Sequence, residues 1–226
     1  MISHKYKCIF IHIPKCAGTS IEQALGHFDE YSGRGRQDHR TIRMIENPVP
    51  LTQLITSKEN IIQYLKGKKR IFYDKIPNPK NKLSVTRQQY QNYFKFTFVR
   101  NPWARAYSWY KNVIRDESHL KAYGVPREIT LRDFLAAHVG RDHLESQLFW
   151  LKGFDSSIPM DFIGKFEDLH ADFEAVKNKL GIRNISLPHL IKGEKDDYRN
   201  AFDSQSIQLV QDCYQEEIEM FNYQFS

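Results

Sequence analysis

The strongest constraint on the fold is a pattern that occurs twice: a short apolar run ends near a proline, and an amphipathic segment follows. The first run is Lys7–Ile13, which stops at Pro14, and the second is Phe94–Val99, which is followed by Arg100 and Asn101-Pro102. Runs of β-branched and aromatic residues of this length predict buried strands. Because helical spacing follows each run, both patterns predict a strand–loop–helix unit.

Further strands and helices alternate along the chain. Residues 161–165 predict a third strand, and 166–180 predict a helix that Gly181 ends. Residues 66–92 are basic and punctuated by prolines, so they predict a loop with a brief strand at 70–73. Further helices are expected at 19–28, 101–110, 130–138, 143–151 and 203–221. Alternating strands and helices predict an α/β fold with a central, largely parallel sheet.

Length and cysteine content narrow the class of protein. A chain of 226 residues suits one domain, and three cysteines without a CxxC pair predict neither a disulfide framework nor a zinc site. The apolar run before Pro14 is too short for a membrane span, and no other stretch approaches the necessary length. We therefore expect a cytoplasmic protein without a transmembrane segment.

Charge is distributed unevenly. The formal net charge is +6, and residues 66–115 contain thirteen Lys or Arg against one acid, Asp74. Such a segment is either a solvated face or a positive funnel for an anionic ligand. No nucleic-acid-binding motif accompanies it, so we expect no nucleic-acid partner.

The turn after the first strand is similar to a phosphate loop, but its lysine has an unusual position. A nucleotide-hydrolysing P-loop ends in Gly-Lys-Ser/Thr, whereas Lys15 precedes Gly18 here and Thr19-Ser20 follow it directly. Helix N-termini attract anions. Lys15 adds a point charge, the two hydroxyls add donors, and Gly18 lets the backbone approach a ligand. The turn therefore predicts an anion site, against the alternative of a capped helix with a surface lysine.

The turn after the second strand carries an arginine and a serine. Arg100 ends the strand, where α/β folds place ligand contacts, and Ser108 follows eight residues later. On a helix, a residue eight positions further along the chain lies about 80° beyond two full turns around the axis. Ser108 therefore reaches the ligand of Arg100 if the strand end curls over the helix, which the Asn101-Pro102 turn allows. Together they suit a monophosphate; a salt-bridged arginine and a buried serine are the alternative.

Together, IPKCAGTS at 13–20 and FTFVRNPWARAYSWY at 96–110 resemble the paired signature of the sulfotransferases that use 3′-phosphoadenosine 5′-phosphosulfate (PAPS). They are most similar to the carbohydrate branch, which includes heparan and chondroitin/dermatan sulfotransferases, as are KFEDL at 165–169 and LPHL at 187–190. The likeness is weak over 49–92, a less family-like insertion or loop region. It implies one sulfotransferase domain over 1–226, a P-loop-like three-layer α/β fold with helices flanking the sheet, PAPS as co-substrate and no metal.

The resemblance gives each matched residue a role. The 5′-phosphosulfate loop corresponds to Lys15, Cys16, Ala17, Gly18, Thr19 and Ser20, and the 3′-phosphate clamp to Arg100 and Ser108. Lys15 would neutralise charge on the bridging oxygen as the S–O bond breaks. Cys16 stands where the family usually has Thr, and it would donate more weakly if its side chain touched the ligand. Lys192 and Lys195 resemble a late basic loop that closes over the 3′-phosphate.

Sulfuryl transfer to a hydroxyl needs a group that removes the proton of that hydroxyl. His39 follows the first helix by a loop, a region comparable to the one where heparan-type 2-O-sulfotransferases have a catalytic histidine. We therefore predict His39 as the base, against the alternative of a surface histidine, and take His12 and His189 as structural. Three carboxylates are alternative candidates for the base: Glu30, Asp38 and Glu46.

Other side chains are candidates for the acceptor and the adenine. An acidic glycan is predicted to bind three arginines, Arg34, Arg36 and Arg40, together with the basic segment 66–115. Four aromatic residues are either stacking partners or core: Trp103, Trp109, Phe149 and Trp150.

The sequence as a whole predicts an enzyme that transfers a sulfuryl group from PAPS to a hydroxyl of a carbohydrate, which can itself be anionic. One alternative is a nucleotide kinase or NTPase, against which the missing Gly-Lys-Thr and Walker-B aspartate count. A second is a non-catalytic anion- or glycan-binding module, which the change at Cys16 keeps open.

Overall fold

The computed structural model describes residues 1–28, 37–73, 78, 81, 83–188 and 197–225. Within these residues the strands are β1 (Ile2–Ser3), β2 (Cys8–Ile11), β3 (Phe94–Val99) and β4 (Phe162–Lys165). The helices are α1 (Gly18–Ala24), α2 (Leu51–Leu54), α3 (Lys58–Tyr73), α4 (Arg87–Asn92), α5 (Pro102–Ile114), α6 (Glu117–Tyr123), α7 (Leu131–His138), α8 (Gln147–Leu151), α9 (Leu169–Leu180), α10 (Ser204–Cys213) and α11 (Gln215–Phe221).

The chain divides into two compact units. The first comprises Met1–Val99 and Leu148–Leu190, and the second comprises Arg100–Gln147 and Ile191–Ser226. One domain over the whole chain stays a prediction. Within the described ranges, no helix combines the length and the apolar character that crossing a bilayer requires.

The sheet belongs to the first unit and has the order β1-β2-β3-β4. β1 is antiparallel to β2, while the β2–β3 and β3–β4 pairs are parallel. Phe10 lies opposite Phe96, which lies opposite Phe162, and the first two rings stack with centroids 5.0 Å apart. β2 is buried along its whole length, as parallel strands covered on both faces are. The predicted α/β class with a mainly parallel sheet flanked by helices is confirmed.

The predicted β3 and the start of α5 are both correct. β3 covers Phe94–Val99, and α5 begins at Pro102, whose missing N–H costs nothing in the first turn. The side chain of Asn101 accepts hydrogen bonds from the N–H groups of Trp103 and Ala104 and so caps the helix. These short-range rules act within a few residues, which is why the sequence revealed them.

Other predictions of local structure were wrong. The brief strand expected at 70–73 is the last turn of α3, and the loop expected at 66–92 also contains α4. The single helix expected at 203–221 is interrupted at Tyr214 and forms α10 and α11. The sequence reading did not identify β1 or α6.

The second unit packs α6, α7 and α10 against α5. Trp103 and Trp109 of α5 are both buried. The Trp103 indole donates to the Ile207 carbonyl, and the Trp109 ring stacks on His143 with centroids 4.3 Å apart. Trp150, in the first unit, is buried as well. For these three residues the core interpretation holds, and the stacking role against adenine is not supported.

Gly164 is expected to tolerate no side chain. A Cβ atom there would lie 2.6 Å from Cε1 of Phe98 on the neighbouring strand. Overpacking of this kind costs about 1–3 kcal/mol, so Gly164→Ala should lower the free energy of unfolding in a urea titration by that amount. In a Phe98→Leu background the loss should be smaller, because the clashing ring atom is gone. An equal loss in both backgrounds would contradict the proposed clash.

Candidate functional site

The loop between β2 and α1 has an unusual backbone. Lys15 and Ala17 adopt left-handed φ angles of +69° and +60°, which non-glycine residues seldom do. Ala17 is the N-cap of α1 without a side-chain hydrogen bond, and its carbonyl accepts from the N–H groups of Ser20 and Ile21. Strained residues that persist in a fold are typical of ligand-binding turns. The backbone of this loop is compatible with a binding role, and both that role and the alternative of a capped helix with a surface lysine stay predictions.

Gly18 is required by a neighbouring side chain and not by its own backbone angle. A Cβ atom at Gly18 would lie 2.0 Å from Cδ2 and 2.2 Å from Nε2 of His12. The imidazole therefore fills the space that a side chain would take. The close approach of His12 is a further reason for this glycine, and the close approach of a ligand stays a prediction.

Cys16 turns its side chain into the protein. It is buried, its thiol donates to the Pro14 carbonyl at 3.7 Å, and its N–H donates to the Ile13 carbonyl at 3.4 Å. Lys15, Ala17 and Ser20 stay partly accessible. Of the two interpretations of the Thr-to-Cys departure, this geometry favours the one in which the side chain at position 16 does not contact the ligand.

His12 forms a buried pair with Glu22 of α1. Nδ1 of His12 lies 3.2 Å from Oε2 of Glu22, and both side chains are almost completely inaccessible. Burial lowers the pKa of His12 to about 3, so the imidazole is neutral near pH 7. Burial likewise raises the pKa of the Glu22 carboxyl. The ring that lies against Gly18 is therefore an uncharged packing group, as its structural interpretation predicts.

Glu22 also fixes the segment that carries His39. Its Oε1 accepts the N–H of Asp38 at 3.0 Å. The His39 ring lies beside the His12 ring with centroids 4.1 Å apart, and its Nδ1 is 3.2 Å from the His12 carbonyl. A carbonyl can only accept, so Nδ1 carries the proton, and Nε2 holds the lone pair of the neutral ring. The geometry thus brings the predicted base next to the histidine that contacts Gly18.

Asp38 is unsuited to the rival role of base. Its carboxylate accepts 2.8 Å and 2.7 Å hydrogen bonds from Nε and Nη2 of Arg40, and Arg70 approaches to 3.5 Å. Burial by itself would raise the pKa of Asp38, but the Arg40 guanidinium, the Met1 ammonium and the Arg70 guanidinium together outweigh it and hold that pKa well below its usual range. Arg40 is itself buried, and it also donates to the Leu83 carbonyl. The expectation that Arg40 offers its charge to a glycan is therefore wrong.

Glu46 occupies another part of the first unit. Its Oε2 accepts the N–H of Phe154 at 3.1 Å, and burial raises the pKa of its carboxyl. Phe149, the remaining candidate for stacking, lies under the Arg43 guanidinium at 5.4 Å.

In the second unit, the side chain of Gln147 fixes the backbone of Arg100 through two hydrogen bonds. The Gln147 amide accepts the Arg100 N–H at 2.8 Å and donates to the Arg100 carbonyl at 2.9 Å. Gln147 is fixed in turn by the buried Glu217, whose carboxylate accepts from both its side chain and its N–H. Two paired contacts fix the backbone direction at Arg100, and with it the point from which the side chain leaves.

Ser108 is half-buried on α5. It follows Pro102, the first helical residue, by six positions, about 9 Å along the helix axis. Arg105 of the same helix is completely buried and donates to the carbonyls of His143 and Glu145. Lys95, in the first unit, is also buried. Two cations of the basic segment 66–115, Lys95 and Arg105, are therefore interior residues of their own units.

Some expectations cannot be compared with the structure, and some functional residues were missed. Six candidates lie outside the described residues: Glu30, Arg34, Arg36, His189, Lys192 and Lys195. The supporting residues Glu22, Gln147 and Glu217 escaped the sequence reading because isolated polar residues on helices indicate solvent contact by default. The only signal was that Glu22 stands beside Ile21, within an apolar face of α1.

Comparison with known proteins identifies the family. The chain is similar to the crystal structure of mouse sulfotransferase SULT7A1 complexed with PAP, with 14% sequence identity, a TM-score of 0.46, and coverage of 96% of this chain and 86% of that chain. No curated protein matches the sequence. A family model described as "Sulfotransferase family" matches residues 1–224. Since this match covers nearly the whole chain, the protein belongs to the sulfotransferase family.

Proposed function

We propose that this sulfotransferase uses PAPS as donor and transfers its sulfuryl group to a carbohydrate hydroxyl without a metal. The donor assignment rests on family membership and on the two motifs at 13–20 and 96–110. The observation that carries the proposal for the first unit is the position of His39 beside His12, which itself lies against Gly18 of the loop. The cytoplasmic location stays a prediction.

Two sets of residues would bind the donor. The loop from Lys15 to Ser20 would hold the phosphosulfate, with Lys15 as the cation at the bridging oxygen. Arg100 and Ser108 would hold the 3′-phosphate, since a planar guanidinium matches phosphate oxygens in a bidentate manner. A role for Lys192 and Lys195 over the same phosphate belongs to the proposal as well.

His39 would act on the acceptor. In the transfer, the acceptor oxygen forms a bond to sulfur, the S–O bond to the phosphate breaks, and the hydroxyl proton passes to Nε2 of His39. Nδ1–H of His39 keeps its hydrogen bond to the His12 carbonyl, and this bond also stabilises the ring when it becomes an imidazolium. Glu22 maintains the arrangement through His12 and the backbone of Asp38.

Donor binding should depend on Arg100 and not on magnesium. We expect Arg100→Lys to weaken binding of adenosine 3′,5′-bisphosphate about tenfold or more, because lysine cannot form a bidentate contact. Isothermal titration calorimetry measures this, with Arg115→Lys as the matched control on the exposed end of α5. Lys15→Met should abolish transfer from PAPS. Binding that required Mg²⁺, or that preferred ATP, would favour a nucleotide kinase instead.

The role of His39 can be separated from its structural contact. His39→Asn keeps an N–H close to the position of Nδ1, which can donate to the His12 carbonyl, but it lacks the Nε2 base. We expect it to bind the bisphosphate normally, to slow transfer by about 10²–10⁴-fold and to remove the acidic limb of the pH–rate profile. His170→Ala, on an exposed part of α9, is the matched control. An unchanged transfer rate would exclude His39 as the base.

The acceptor class is tested by transfer of labelled sulfate from PAPS to a panel. The panel contains neutral glycans, acidic glycans, a glycolipid and a phenol. We expect label on a glycan or glycolipid and none on the phenol. PAPS binding without any product would favour the non-catalytic binding module, and label on the phenol alone would replace carbohydrate as the acceptor.

A further inference from the structure

The exposed apolar side chains of the first unit are concentrated in one place. Among the described residues, nine large apolar side chains are exposed, and eight of them lie between Leu51 and Tyr73. Scattered exposed apolar residues need no explanation, whereas a continuous group marks an interaction surface. We call this group, without Ile71, which lies on the same side of α3 as Asn60, the α2–α3 surface. Its members are Leu51, Ile55, Ile61, Ile62, Leu65, Phe72 and Tyr73.

Helix α3 is inverted relative to an ordinary surface helix, because it buries polar residues and exposes apolar ones. Asn60, Gln63 and Gly67 are its buried residues. Ile61, Leu65 and Phe72 fall within about 40° of one another around the helix axis, on the opposite side. Phe72 and Tyr73 are the most exposed, at 78% each. A helix oriented by core packing would face the other way.

Hydrogen bonds hold α3 in this orientation. Asn60 accepts from Arg43 at 3.0 Å and donates to the Phe154 carbonyl at 3.1 Å. Gln63 accepts from the Thr41 hydroxyl at 2.8 Å. A Cβ atom at Gly67 would come within 3.0 Å of the Met44 carbonyl oxygen. Buried polar contacts of this kind are costly to break, so the helix cannot rotate to hide its apolar side without losing them.

The charges of α3 indicate what covers this surface. The helix has five basic residues and one acidic residue, Glu59. Lys66 and Lys68 lie on either side of the apolar stripe, and Lys69 lies within it; all three are exposed. A second copy of the chain would bring the same cations face to face. An apolar stripe bordered by lysines matches the boundary between the headgroups and acyl chains of an anionic membrane.

We propose that the α2–α3 surface binds an anionic lipid bilayer, with Leu65 and Phe72 inserted at the level of the acyl chains and the lysines at the headgroups. Lysine side chains suit this position, because their methylene stems can lie along apolar surface while the ammonium groups reach the phosphates. The chain would then contact the membrane through this surface. This inference is independent of the identity of donor and acceptor.

Vesicle flotation tests the proposal. The purified protein is mixed with vesicles of phosphatidylcholine alone, or of phosphatidylcholine and phosphatidylserine at about three to one. We expect binding to the anionic vesicles only, weakened by added salt. The Leu65→Ser, Phe72→Ser double variant should bind at least about tenfold more weakly. Lys66→Gln and Lys68→Gln should each weaken binding to the anionic vesicles about fivefold.

Met220→Ser is the matched control, because Met220 is 48% exposed on α11, outside the surface. It should bind vesicles like the unchanged protein. Thermal unfolding of each variant verifies that the fold is retained. Equal binding to neutral vesicles, no binding to either kind, or an unaffected Leu65→Ser, Phe72→Ser variant would each overturn the proposal. A dimer in analytical ultracentrifugation that this variant dissociates would assign the surface to self-association instead.

Discussion

The close approach of the His12 ring to Gly18 is the constraint on which the candidate site of the first unit depends. It joins the end of the β2 segment to the start of α1, and it leaves no room for any side chain at position 18. Glu22 completes the arrangement one turn later by approaching His12 and by accepting the Asp38 N–H. The loop and the segment that carries His39 are therefore positioned by the same buried pair.

Burial and charge act differently on the three acidic residues near His39 and in its segment. For Glu22, burial is the largest influence and raises the pKa of its carboxyl. Asp38 is just as inaccessible, yet Arg40, the Met1 ammonium and Arg70 outweigh the effect of burial and lower its pKa. Partial burial raises the pKa of the Glu46 carboxyl, which lies further along the chain. Of these three carboxylates, that of Asp38 has the strongest cationic partners and is the least able to accept a proton. The role of His39 as the base stays a proposal.

The sequence predicted those parts of the structure that local chemistry determines. β3 is a continuous apolar run, and Asn101-Pro102 combines a capping side chain with a residue suited to the first turn, so both were identified correctly. Arg40 was misjudged, because its burial depends on Asp38 and on the Leu83 carbonyl, which lies 43 residues away. Likewise, nothing local marks Gln147 as the residue that fixes the backbone at Arg100.

Helix α3 shows why hydrophobic periodicity can mislead. The method assumes that the apolar side of a helix faces the core, and in α3 that side faces outward while Asn60 and Gln63 make the internal contacts. The β-branched and aromatic residues at its end, Ile71 to Tyr73, then suggested a strand. The outward-facing apolar side of α3 made the prediction wrong, and it is also the physical reason to expect a partner at this helix. Buried hydrogen bonds hold these apolar side chains outward, so the free energy of the protein in water is lowered only when another apolar phase covers them.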